Sequence, residues 1–267
     1  MKYLFAVLAF AIIFAPSAHA EDIMSILERQ SKVEKPSPPV LNPYNYTVDV
    51  VMSGKEGKDD KPPFMAKLLI DPSAAPEARV SIVSTSSEDH PDEFKDFLKE
   101  IQNPETSAED LTEEFWCEGG DDGMFDSEDI GEDIFVDDFT VISETETEAI
   151  IKPNLSLMAE IMMDSEEGDN MSKSERKMMT KMMKRLDGEF VLSKPEARLK
   201  SFKIWLTRPM TMALIAKLKE MEVTQSCAMA PNGFNYTDTM TMRVKAKALG
   251  IGMEQNMDVK ISGLTLR

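Results

Sequence analysis

Apolar and polar residues alternate with a period of two over much of this chain. Tyr46, Val48, Val50 and Met52 share one side of a run from Tyr44 to Ser53, and that period predicts a half-buried β-strand. Gly54 to Pro63 is charged and holds Gly57, Pro62 and Pro63, which predicts a hairpin connection to a second strand, Phe64 to Ile70. Asp71-Pro72-Ser73 breaks that strand, and alternation resumes over Arg79 to Ser86. Phe135 to Ile151 offers further strand material. From Glu189 the pattern is an antiparallel meander: Phe190 and Leu192, then Leu199, Phe202, Ile204 and Leu206, parted by Lys194-Pro195-Glu196. Thr211 to Ala228 reads as a long strand, or as a short helix followed by one. Pro231-Asn232-Gly233 is a turn signal. Tyr236 to Ala248 then sets Met240, Met242, Val244, Ala246 and Ala248 against Thr241, Arg243, Lys245 and Lys247. Gly250 and Gly252 turn the chain once more, and Met253, Met257, Val259 and Ile261 line the inner face of a last strand.

Three stretches switch to helical spacing. Phe94, Phe97, Leu98 and Ile101 fall at i, i+3, i+4 and i+7 and predict a helix over 91–102, capped by Asp89 and ended by Asn103-Pro104. Leu155, Met158, Ile161 and Met162 form a second stripe, over 154–163. Ser172-Lys173-Ser174-Glu175 has the form of a capping box and opens a third helix, over 172–187, with Gly188 suited to its C′ position. The fold class expected is α+β and mainly β: a curved antiparallel sheet, an open half-barrel, with a few helices on its concave face.

The first residues alter the picture of where this fold operates. Lys2, an apolar run from Leu4 to Phe14 and Ala18-His19-Ala20 match a cleavable signal peptide over 1–20, with cleavage after Ala20. The run is shorter than the roughly 20 residues a membrane-spanning helix needs, and no later window is apolar for long enough, so no transmembrane segment is expected after cleavage. Residues 21–43 read as a short helix and a Pro-rich linker, and 44–267 as a single β-rich domain. A periplasmic or secreted location is expected. There Cys117 and Cys227 are expected to form a disulfide.

Charge and composition narrow the chemistry. The net charge of −18 repels nucleic acid and anionic lipid. Cleavage leaves His90 as the one histidine, so neither a histidine-rich zinc site nor a Gly-x-Ser-x-Gly hydrolase is written here. No enzyme and no cofactor is expected. Glu118 to Asp138 is strongly acidic, but Ile130 stands where an EF-hand would place a ligand. That stretch reads as a solvated loop, a docking face for an envelope protein, or a weak calcium site.

Methionine is the clearest anomaly, at 21 of 267 residues. Met178, Met179, Met182 and Met183 pair at i, i+4 on the third helix, Met158 and Met162 lie on the second, and Met240, Met242, Met253 and Met257 lie on the last two strands. Thioethers fill irregular cores, form adaptable apolar binding surfaces, or ligate Cu(I). The signal sequence, hairpin-rich sheet, amphipathic helices and the Gly188-Glu189-Phe190-Val191-Leu192 opening of a terminal meander resemble the LolA/LolB-type lipoprotein carriers. The resemblance implies an open half-barrel whose helices plug the concave face, with lipid chains bound between. Lys194-Pro195-Glu196 stands where the carrier's arginine-bearing strand motif is expected, and no residue is carried over as functional. The function expected is a non-enzymatic carrier or binding protein for a hydrophobic small molecule or lipid, held between the Met178–Met183 helix and the strands bearing Met240, Met242, Met253 and Met257.

Overall fold

A computed structural model describes residues 44–104, 106, 117, 139–155, 172–196, 198–213 and 216–266. The signal peptide expected over 1–20, the short helix and linker expected over 21–43, the acidic stretch, and the expected second helix beyond Leu155, with Met158 and Met162, lie outside the described residues.

The described residues form one eleven-stranded antiparallel sheet. In chain order its strands are β1 (Tyr44–Glu56), β2 (Asp59–Ile70), β3 (Val80–Thr85), β4 (Phe139–Glu144), β5 (Glu148–Pro153), β6 (Leu186–Ser193), β7 (Arg198–Leu206), β8 (Met210–Ala213), β9 (Ala216–Met229), β10 (Asn235–Ala248) and β11 (Ile251–Leu266). Helix α1 (Asp92–Ile101) follows β3, and α2 (Lys173–Met183) precedes β6. The spatial order is β3-β2-β1-β11-β10-β9-β7-β6-β5-β4, with β8 beside the first part of β9. Among the described residues β3 and β4 do not pair with each other, so the sheet is open rather than closed into a barrel.

Burial follows the two-residue period. In β1, Tyr44, Tyr46, Val48, Val50 and Met52 are buried and the residues between them are not. In β2, Phe64, Ala66, Leu68 and Ile70 are buried while Met65, Lys67 and Leu69 are exposed. Pairing carries this polarity across the sheet in one rung: Ala66, Val50, Val259, Met240, Gln225, Phe202, Phe190 and Ile151 are successive cross-strand partners. Directly paired residues project to the same face, so this rung defines an inner face. The outer face carries crossed charges, including Lys203–Glu222 at 2.8 Å, Arg243–Asp258 at 2.6 Å and Lys67–Asp49 at 3.4 Å. Exposed pairs of this kind contribute about 0–1 kcal/mol each. A one-residue slip would carry them to the inner face, so they also penalise the wrong register.

Both helices lie on the inner face, as the fold class requires. Phe94 and Ile101 of α1 are buried in a cluster with Val48, Val50, Leu68 and Ile70. Met179, Met182 and Met183 of α2 are buried in a second cluster with Phe190, Phe202, Ile204 and Val223. Phe190 and Phe202 stack there with centroids 5.6 Å apart.

Three local expectations change. Gly188 lies inside β6, and α2 already ends at Met183. A Cβ at Gly188 would meet Ile204 Cγ1 and the Lys203 carbonyl at 3.4 Å, so the glycine permits close strand approach rather than capping a helix. Asp89 does not cap α1: Pro91 is the N-cap residue, without a side-chain bond, while the Asp89 N–H donates to Ser87 Oγ at 3.1 Å. His90 is half-buried. Its ring lies edge-on between Phe64 (5.7 Å) and Phe94 (5.3 Å), tying the start of α1 to β2. The first hairpin is tighter than its prolines suggested, since Glu56 pairs with Asp59 across Gly57-Lys58. Pro62 and Pro63 sit within β2 opposite a register shift between Met52 and Gly54, where a missing N–H leaves no ladder bond broken.

Candidate functional site

The middle of the inner face is covered less than its flanks. To one side, α1 seals β1 and β2; to the other, α2 seals β5 to β9. Between these clusters lie Met240, Met242, Val244 and Ala246 of β10 and Met257 and Val259 of β11, all half-buried although apolar. They pair directly: Met240 with Val259 and Met242 with Met257. The sequence puts them there by simple alternation, and the antiparallel register aligns the two rows into the floor of a trough.

The methionines singled out from the sequence divide three ways. Met240, Met242 and Met257 are on the floor. Met179, Met182 and Met183 face the sheet from α2 and are buried among Phe190, Ile204 and Val223, so they form the inner side of one wall and pack as core. Met178 is 37% and Met253 48% exposed: Met178 points away from the buried face of α2, and Met253, paired with Ala246, lies past the covered part of the floor.

The trough has unlike ends. At one, Cys117 and Cys227 are disulfide-bonded with Cα atoms 5.8 Å apart. Gln225 Nε2 donates to Thr237 Oγ1 at 2.8 Å and contacts Cys117 Sγ at 3.4 Å. The Cys117 N–H donates to the Asn235 carbonyl at 3.1 Å. The disulfide thus ties Cys117 to β9, and its N–H ties it to β10. Nearby, burial pushes the Tyr236 hydroxyl pKa upward, with Asp238 adding to the shift. At the other end the β10–β11 hairpin runs on through Ala248 and Leu249 to Ile251 with little cover.

A site the sequence reading missed lies beside that open end. Lys177, Thr180, Lys181, Lys184, Arg185 and Arg208 line an open depression of about 480 Å³. Lys181 Nζ donates to the Thr211 carbonyl at 2.6 Å, and Arg185 Nη1 donates to the Pro209 carbonyl. The signal was legible in the sequence: Lys177 and Lys181 of α2 and Lys184 just past its end recur at i, i+4 and i+7, on the side away from the buried methionines. Scattered partners and the acidic total concealed it. Among the described residues no three His, Cys, Asp or Glu side chains converge as a metal site would require, and no helix is long and apolar enough to cross a membrane.

No family model matches the chain, and no curated protein does. A crystal structure of a LolA superfamily protein from Nitrosomonas europaea aligns over 91% of this chain and 93% of that one, at 9% identity and a TM-score of 0.26. The chain thus has a weak likeness to LolA-type architecture.

Proposed function

We propose that the protein is a non-enzymatic carrier or binding protein for an apolar chain, such as the acyl chain of a lipid, in an oxidising compartment outside the cytoplasm. One observation carries this reading: six apolar side chains at the centre of the inner face stay half-buried, while their neighbours on both flanks are sealed by helices. An acyl chain laid along β10 and β11 would remove that surface from water at about 25 cal/mol per Å². Unbranched thioethers suit such a guest, because they adjust to different chain shapes without a fixed rotamer. The disulfide and the Gln225–Thr237 pair would close one end of the trough, and the open end would admit the chain.

Displacement of a fluorescent fatty acid from the processed protein tests the proposal. The wild type is expected to bind the probe saturably. Met242→Glu and Met257→Glu, each placing a carboxylate on the floor, should weaken binding by more than about tenfold, with the disulfide and circular dichroism unchanged. A wild-type protein that shows no saturable binding would refute it.

A further inference from the structure

We propose that the open end of the sheet docks on an anionic membrane surface, with the tip of the β10–β11 hairpin entering the bilayer interface. The tip is a two-residue turn, Leu249-Gly250, between paired Ala248 and Ile251. Both turn residues have positive φ, 51° and 89°, as in a type I′ turn, whose first position favours Asn, Asp or Gly. Leucine tolerates that backbone poorly and is here 73% exposed. The fold therefore gains nothing from Leu249 in either backbone or burial. Ile251 and Met253, each 48% exposed, continue the apolar surface along β11.

Cations stand directly behind this edge. Thr211, Lys217, Lys247 and Gly252 are successive cross-strand partners, on strands about 4.8 Å apart, and both lysines are exposed. The same rung leads through Thr211 to Lys181 and the basic depression with Lys184 and Arg208. Among the described residues Lys184, Arg208, Lys217 and Lys247 have no carboxylate partner. Of the carboxylates at this end, Glu56, Asp60 and Glu220 are paired with Lys61, Lys55 and Lys245, and Glu254 lies near Lys55 and Lys245, which leaves Asp59 as the exposed acid of the neighbouring turn. An apolar edge backed by lysines is the arrangement that seats a surface-bound element at an anionic interface, its side chains entering while the ammonium groups reach the phosphates. A chain of net charge −18 would otherwise be repelled, so it presents this end first. Docking does not depend on whether the trough holds a ligand.

Sedimentation of the processed full chain with vesicles tests the proposal. One set contains equal parts phosphatidylcholine and phosphatidylglycerol, the other phosphatidylcholine alone. The wild type is expected to bind the anionic set, to be released by added salt, and to ignore the neutral set. Leu249→Asn is the informative variant: it suits the turn better, so the protein should melt at the same or a higher temperature, yet bind vesicles about tenfold more weakly. Lys217→Gln and Lys247→Gln should each cost about fivefold. Fatty-acid probe displacement without vesicles should be the same for Leu249→Asn and wild type, which separates this proposal from the trough. Failure of the wild type to bind anionic vesicles would overturn it in favour of an acidic protein partner at this end. Equal binding to both vesicle sets, or wild-type binding by Leu249→Asn, would overturn it as well.

Discussion

The Cys117–Cys227 bond closes a loop of 110 residues that contains β4 to β8, α2 and most of β9. Replacing both cysteines with alanine frees that loop in the unfolded chain. Alanine is preferable to serine, because Cys117 is 2% exposed and a hydroxyl there would need a partner. Loop-closure entropy for this separation puts the loss at about 4.8 kcal/mol near room temperature. With a urea slope of about 2.5 kcal/mol per molar for a chain of this size, the unfolding midpoint should fall by about 2 M. Urea titration followed by tryptophan fluorescence, with the oxidised wild type, the reduced wild type and the double variant side by side, measures the shift. Gln225 keeps its 2.8 Å bond to Thr237 in the variant, so little native enthalpy is lost to confuse the reading. A fall of less than about 0.5 M would refute the reasoning. It would mean that the unfolded chain is held compact by something other than the bond.

Two further outcomes follow from the core and its titration. Met183 is 1% exposed, so Met183→Ala should cost about 2–5 kcal/mol and Met183→Leu less than about 1.5 kcal/mol by urea unfolding; similar small losses for both would place this methionine outside the core. Burial raises the Tyr236 pKa in the folded state, so its share of stability is complete below the unfolded value of about 10 and declines as pH rises beyond it. Tyr236→Phe should lessen the alkaline loss of stability, read as melting temperature against pH.

Much of the architecture was legible because alternation is a strong signal on a sheet with one sealed face. Met240 to Ala246 and Met257 to Ile261 took their predicted sides, and the stripe of Phe94, Phe97, Leu98 and Ile101 faces the sheet. The errors arise where one residue type serves two purposes. Gly188 reads as a helix end from sequence and is a point of close strand contact in space; only the positions of Ile204 and Lys203 distinguish the two. Pro62 and Pro63 suggested a loop, and a register shift accommodates them within a strand. The site was half legible. Spacing gives the face on which each methionine lies, but whether that face is sealed depends on where α1 and α2 settle, and no local pattern states that. The basic depression draws on residues from Lys177 to Arg208 in sequence, and the hairpin edge adds Lys217 and Lys247, so its charge emerges only when β7 to β10 are assembled.

The pairing of β1 with β11 runs from Tyr44 against Leu266 to Glu56 against Met253, inside the sheet, where it joins the β1–β3 block to the remaining strands. A chain emerging N-terminus first therefore completes β1 to β3 and must leave the inner edge of β1 bare until its partner arrives some two hundred residues later. Assembly of the two halves is thus a terminal event, and the waiting edge is the natural point for a chaperone to shield, or for a protease to sense a chain that was never finished.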